Sequence, residues 1–172
     1  MGQAYLLTGM PGTGKTSIIR QAITQSQCDA GGFFTQEIRS VGIREGFRIV
    51  TLGGKEAIFA HITIDSPFRV GKYGIDISAL DGTGVEAIYD ALEHHKVVVI
   101  DEIGKMELFS PRFIKAVQDA LASTKKVLGT ITLRPHPLAD SIRENRNIRV
   151  AELTRNNQRY VLAEILTWLK NS

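Results

Sequence analysis

The eight residues Gly9-Met10-Pro11-Gly12-Thr13-Gly14-Lys15-Thr16 constrain this chain more than any others. They satisfy the pattern G-x-x-x-x-G-K-[ST], and their flanks supply the context that pattern needs. Ahead lies a short apolar run, residues 4 to 8, that suits a buried strand. Behind, from Lys15 to about Ser26, Ile18, Ile19, Ala22 and Ile23 recur at helical spacing and mark one face of a helix. Glycines in such a strand-to-helix turn let the backbone curl so that successive N–H groups point inward, and the start of the helix adds its dipole. The result is a cradle for phosphates. Lys15 would reach the β- and γ-phosphates of a nucleotide, and the Thr16 hydroxyl would be a ligand to Mg²⁺, which prefers oxygen. The plainer reading, a glycine turn followed by a solvated lysine, leaves the full pattern without an explanation.

A second run, Val97-Val98-Val99-Ile100-Asp101-Glu102-Ile103-Gly104, is four apolar residues ending in two carboxylates. Asp101, at the carboxyl end of a buried strand, is placed to hold Mg²⁺ opposite Thr16. Glu102 then sits where it would orient or deprotonate an attacking water. The competing reading makes Asp101 a cap of the next turn and Glu102 a solvated acid. Gly104 permits a sharp exit from the strand, and Lys105 would bring a cation near a γ-phosphate, a reading that stands beside that of a solvated surface lysine. Glu107 reads as structural. Arg39, Arg44 and Arg48 on one side, and Arg134 and His136 on another, read chiefly as solvated charges, with a phosphate-directed finger as the alternative. His94-His95 lacks metal-ligand spacing and reads as a helix end.

The rest of the chain alternates strand and helix. Short β-rich runs, Phe33 to Arg39, Phe47 to Leu52 and Ala57 to Ile64, are separated by Gly42, Gly46, Gly53 and Gly54 and leave no room for crossover helices. They predict an antiparallel hairpin or three-stranded meander at about residues 31 to 64, inserted into or beside an α/β core. Residues 65 to 83 read as loop, with a short turn near Ser78 to Leu80, and a helix is expected from Val85 to His95. Ser110-Pro111 has the look of an N-cap and first-turn proline. A strand over Val127 to Leu133, a helix over Leu138 to Glu144, a strand over Ile148 to Leu153 and a helix from Thr154 to about Lys170 follow. The expected fold is an α/β three-layer sandwich of the P-loop type, with a mostly parallel central sheet, in one domain spanning 1 to 172.

Composition narrows the function classes. With 21 Lys and Arg against 18 Asp and Glu, the net charge is only +3, and aromatics make up 7% without interleaving with basic clusters. Both observations count against nucleic acid as a partner. The first residues lack a basic segment, and their apolar run breaks at Thr8 and Gly9, so neither a signal peptide nor a membrane span is expected. Cys28 has no second cysteine to pair with, which favours a reducing, cytoplasmic setting. Nothing marks a protein partner.

Gly9 to Thr16, the stretch Gly32 to Arg39 with Arg44 to Phe47, and above all Val99-Ile100-Asp101-Glu102-Ile103-Gly104-Lys105-Met106-Glu107-Leu108-Phe109 resemble the THEP-type nucleoside-triphosphatases. The resemblance spans nearly the whole chain and includes Leu128 to Ile131, Pro137-Leu138, Ile142-Arg143 and Leu153-Thr154. It implies Mg²⁺-dependent hydrolysis of ATP, GTP and other nucleoside triphosphates, CTP and UTP included, to diphosphate and phosphate. It also implies that Gly9 to Thr16 and Val97 to Gly104 are the nucleotide-binding stretches, with Asp101 linked to the metal and Glu102 the candidate base. One departure stands out. Where the family usually has Glu-Asn-Arg, this chain has Asn156-Asn157-Gln158, and the loop from Asp81 to Glu86 looks short.

Two rivals remain open from sequence. A small-molecule kinase uses the same loop and metal but passes the phosphoryl group to an acceptor, and a nucleotide-dependent switch uses hydrolysis as a timer. No compact lid helix pair is evident, and no guanine-reading Asn-Lys-x-Asp is present.

Overall fold

Ala4–Thr8 (β1) is buried throughout and apolar up to its last residue, Thr8, so it belongs inside a sheet covered on both faces. The computed structural model describes residues 3–171 and places it there. The glycine loop follows, then α1 (Lys15–Ser26), which buries Ile18, Ile19 and Ala22. An antiparallel run comes next: β2 (Ala30–Ser40), β3 (Ile43–Thr51), β4 (Glu56–His61), β5 (Arg69–Val70) and β6 (Tyr73–Ile75). A helical segment opens with α2 (Ile77–Ala79), widens through a π-helical turn at Leu80–Val85 and continues as α3 (Glu86–His94). After β7 (Val97–Ile103) and a 3₁₀ turn (Glu107–Phe109) come α4 (Pro111–Ala122), β8 (Lys126–Ile131), α5 (Pro137–Glu144), β9 (Ile148–Glu152) and α6 (Gln158–Lys170).

Among the described residues nine strands form one sheet in the order β5-β6-β4-β3-β2-β7-β8-β1-β9. The pairings from β2 through β9 are parallel, and those from β2 outward to β5 are antiparallel. β2 therefore belongs to both halves. Its first residues run parallel to Val97–Ile100, and from Phe33 onward it also pairs antiparallel with β3. The predicted meander thus continues the sheet. Gly32 makes this possible: its φ is +108°, and a Cβ there would lie 2.0 Å from the Val99 carbonyl oxygen.

Strand periodicity sorts the apolar side chains onto two faces. Val98 and Ile100 pack with Phe33, Ile88, Phe113 and Val117 beneath α3 and α4. Val97 and Val99 pack with Tyr5, Leu7, Ile19 and Trp168 beneath α1 and α6. Three layers result, as the alternation of strand and helix predicts.

Two segments differ from expectation. Residues 65 to 83 hold the β5–β6 hairpin and a helix beginning at Ile77, well ahead of Val85. Their strands are too short for an alternating pattern, and Gly82 and Gly84 mask the helical period. Asp76 starts that helix by accepting a hydrogen bond from the Ala79 amide at 3.0 Å. The last helix begins at Gln158, not Thr154, because the Asn157 side chain accepts from the Thr154 amide (2.8 Å) and donates to the Glu152 carbonyl (2.9 Å), fixing a turn. Ser110 caps α4 as expected, accepting from the Phe113 amide at 3.1 Å. Among the described residues no helix is long and apolar enough to cross a membrane.

Candidate active site

The loop between β1 and α1 has the conformation its glycines allow: Gly9, Gly12 and Gly14 have φ of +146°, +82° and +89°. No side chain caps α1, so the first amides of the helix are open to an anion. Thr13 closes the loop by donating to the Met10 carbonyl at 2.9 Å. Lys15 curls over it, its ammonium donating to the carbonyls of Gly9 (2.9 Å) and Met10 (3.1 Å).

Sheet order brings the acids to this loop. β7 is separated from β1 by β8, and the ends of all three strands meet beside Thr16. The Asp101 carboxylate accepts from the Thr16 hydroxyl through Oδ2 and from the Thr130 hydroxyl through Oδ1, each at 2.7 Å. Its backbone carbonyl accepts from Thr35 at 2.5 Å. Asp101 is 3% exposed, so these hydroxyls are what hold it. The pairing of β7 with β8 slips between Ile100 and Ile103, a bulge spanning both acids, and bulges re-aim side chains. Asp101 and Glu102 both line one cleft of about 670 Å³ together with Lys15 and Thr16. The peptide joining the two acids is cis.

Within the cleft the acids of β7 and the turn after it sit close together. Burial raises the Asp101 carboxyl above its usual range, against the Thr130 and Thr16 hydroxyls and the more distant Arg20 and Lys15. Burial, and then the charge of Asp101, raises Glu102, with Lys15 and Lys105 pulling the other way. Glu107, 3% exposed, is raised well above its usual range, by burial and then by Glu102. Three acids crowd one patch, and a divalent cation would relieve them. The donors fit Mg²⁺ in kind. Thr16 and Asp101 offer hard oxygens side by side, and Mg²⁺ is ordinarily held by one or two carboxylates plus substrate phosphates. Among the described residues no group of three or more His, Cys, Asp and Glu could hold a metal without such help.

The other sequence candidates divide. Pro11, Gly12 and Lys105 line the cleft. Val97, Val98, Val99, Ile100 and Ile103 are buried in the two cores and position the acids without reaching the cleft. Gly104 lies against Glu102, where a Cβ would come within 2.5 Å of its carboxylate. Of the arginines, Arg44 and Arg134 line the cleft, whereas Arg39 is tied to Glu37 and the Gly42 carbonyl and Arg48 lies near Glu56. His136 lines a smaller neighbouring pocket of about 190 Å³.

Sequence reasoning missed Thr35 and Thr130 as partners of Asp101, and it left Glu107 outside the site. A polar residue near the end of a buried strand is a visible signal at Thr130, but its target depends on sheet order. At the departure Asn156-Asn157-Gln158, Gln158 reaches the loop, its Nε2 donating to the Thr13 carbonyl at 2.7 Å. A second cleft of about 410 Å³, beside Lys55, Glu86 and Asp90 at the opposite end of β2, lacks a phosphate loop.

A glycine loop between a buried strand and an uncapped helix, facing a buried Asp–Thr pair across the sheet, defines a P-loop nucleotide-binding protein. The NTPase family profile matches residues 4–166. The chain belongs to that family. It is 42% identical over 165 residues to the nucleoside-triphosphatase THEP1 of Thermotoga petrophila, covering 96% of this chain and 92% of that one. It is 35% identical over 188 residues to the Homo sapiens cancer-related nucleoside-triphosphatase, covering 100% and 99%. The crystal structure of THEP1 from Aquifex aeolicus superposes with a TM-score of 0.90 at 35% identity, over 98% of this chain and 99% of that one. The solution structure of the human protein does so at 0.83 and 34%, over 100% and 99%.

Proposed function

We propose that this chain is a Mg²⁺-dependent nucleoside triphosphatase that converts ATP, GTP, CTP and UTP to the diphosphate and phosphate. The observation that carries the reading is the Thr16–Asp101–Thr130 cluster, with Glu102 beside it, at the mouth of the phosphate loop. Membership in a family whose named relatives are nucleoside-triphosphatases supports it.

The loop amides and Lys15 bind the phosphate chain, Lys15 exchanging its carbonyl partners for phosphate oxygens. Thr16 and Asp101 would hold the metal, which would supply positive charge to offset that of the phosphate oxygens. Glu102 accepts a proton from water lined up with the γ-phosphorus, and burial with the charge of Asp101, by raising its proton affinity above that of an ordinary carboxylate, strengthens it as a base. Lys105 offsets charge that builds on the transferring group. The groups assigned here grip phosphates and metal, not the base, so broad base tolerance follows. The lone Cys28 favours a cytoplasmic setting.

Phosphate release from the four triphosphates by wild type, Lys15→Ala and Glu102→Ala tests this. Lys15→Ala should lose nucleotide binding. Glu102→Ala should keep binding and lose turnover by about a hundredfold or more; undiminished turnover would remove Glu102 from the mechanism.

A further inference from the structure

One contact ties the phosphate loop to the last helix of the chain. Gln158, the first residue of α6, donates through Nε2 to the Thr13 carbonyl at 2.7 Å, 145 residues away in sequence. Its own position is fixed from two sides. Asn157 braces the turn just before it, accepting from the Thr154 amide and donating to the Glu152 carbonyl, and Val161, Ile165 and Trp168 bury the helix that follows. The Gln158 amide also packs on Gly14, where a Cβ would come within 3.1 Å of Nε2.

This contact sets the direction of a donor. In a planar trans peptide the carbonyl oxygen of one residue and the N–H of the next point to opposite sides. The Thr13–Gly14 bond is trans, so a Thr13 carbonyl drawn toward α6 turns the Gly14 N–H away from that helix. The cleft takes Pro11, Gly12, Lys15 and Thr16 from the loop and, among the described residues, none from α6. α6 therefore backs the loop, and the Gly14 N–H faces away from that backing. Among the described residues this N–H meets no acceptor. Little in the loop alone would hold it so, because Gly14 has φ of +89° and a glycine tolerates either sign of φ.

We propose that Gln158 is a positioning residue for nucleotide binding: by holding the Thr13 carbonyl from behind the loop, it keeps the Gly14 N–H aimed at the phosphates. The proposal rests on the phosphate-loop assignment above and deepens it. Once the contact is lost, only the fraction of molecules with this N–H turned inward is ready to bind, and the apparent Kd rises by the inverse of that fraction. In the bound state the phosphate oxygens hold the amide themselves, so the chemical step is spared.

The test uses the full chain with Mg²⁺ and either ADP or ATP. Gln158→Met keeps the length of the side chain and removes its donor; Gln158→Glu sets a carboxylate against the carbonyl. One neutral hydrogen bond corresponds to about fivefold in an equilibrium constant, so calorimetry should show the Kd for ADP raised by about that factor in Gln158→Met and further in Gln158→Glu. Phosphate release from ATP should show the same loss in KM, with kcat within about twofold of wild type. In ¹⁵N-labelled protein the Gly14 amide resonance should differ between free wild type and free Gln158→Met, and saturating ADP should bring the two together. A bond that only stabilised the fold would lower the unfolding midpoint and leave these readouts of the folded fraction where they were. An ADP affinity of Gln158→Met within about twofold of wild type would overturn the proposal, as would a loss carried by kcat at unchanged KM. Wild type that binds no ADP would overturn the phosphate-loop assignment itself, and this proposal with it.

Discussion

Replacing Thr130 with valine removes one hydroxyl and little else. Thr130 is 1% exposed and its side chain donates to Asp101 Oδ1 at 2.7 Å. Valine keeps the shape but offers no proton. A hydrogen bond to a charged group contributes about 1.5–3 kcal/mol, and a tenfold change in an equilibrium constant is about 1.4 kcal/mol. If that bond stabilises the ionised, metal-binding form of Asp101, its loss should weaken Mg²⁺ binding by about 10- to 150-fold. The loss of residues that orient a metal ligand commonly costs 10–100-fold in affinity, in the same range. Phosphate release titrated with Mg²⁺ should show the half-saturating concentration of Thr130→Val displaced upward by that factor, with most of the maximal rate restored at high Mg²⁺. Thr130→Ser, which retains the hydroxyl, should return the curve toward wild type. An unshifted Mg²⁺ curve would refute the reasoning, and so would a rate loss that no Mg²⁺ concentration repairs.

Glu107→Gln should flatten the pH dependence of stability. The folded chain holds the Glu107 proton well above the ordinary value of 4.5, so between those two values it binds more protons than the unfolded chain and loses stability as pH rises. Denaturant unfolding at pH 4.5 and pH 8 should show a smaller decline for the variant; an unchanged or steeper decline would refute this. Gly32→Ala should destabilise by about 3 kcal/mol or more, because the new Cβ would lie 2.0 Å from the Val99 carbonyl at a positive φ. A urea midpoint within error of wild type would show that the β2–β7 junction yields more easily than its geometry indicates.

How much was legible follows the range of the interactions. The loop from Gly9 to Thr16, the strand ending in Asp101-Glu102 and the Ser110-Pro111 cap depend on neighbours within a few residues, and all three stand where their patterns place them. The hairpin at Arg69–Ile75 was invisible because strands of two and three residues carry no period. Thr154 looked like a helix start because side-chain bonds from Asn157 leave no trace in an apolar pattern. Glu107 looked structural because one acid beside a charged stretch does not announce its burial. Arg44 looked solvated, yet sheet pairing sets it over Phe47 and Tyr73.

The sequence by itself determined that a phosphate chain could be cradled at Gly9 to Thr16 and that two acids would end a buried strand, because backbone permissiveness and strand patterning are local. Only the tertiary structure decided that β8 would lie between β1 and β7, so that Thr16 and Thr130, 85 and 29 residues from Asp101, share its two oxygens. It also decided that the antiparallel arm would wall the cleft opposite the loop. Strand order is settled by which faces bury together across the whole sheet, and no short stretch of sequence carries that information.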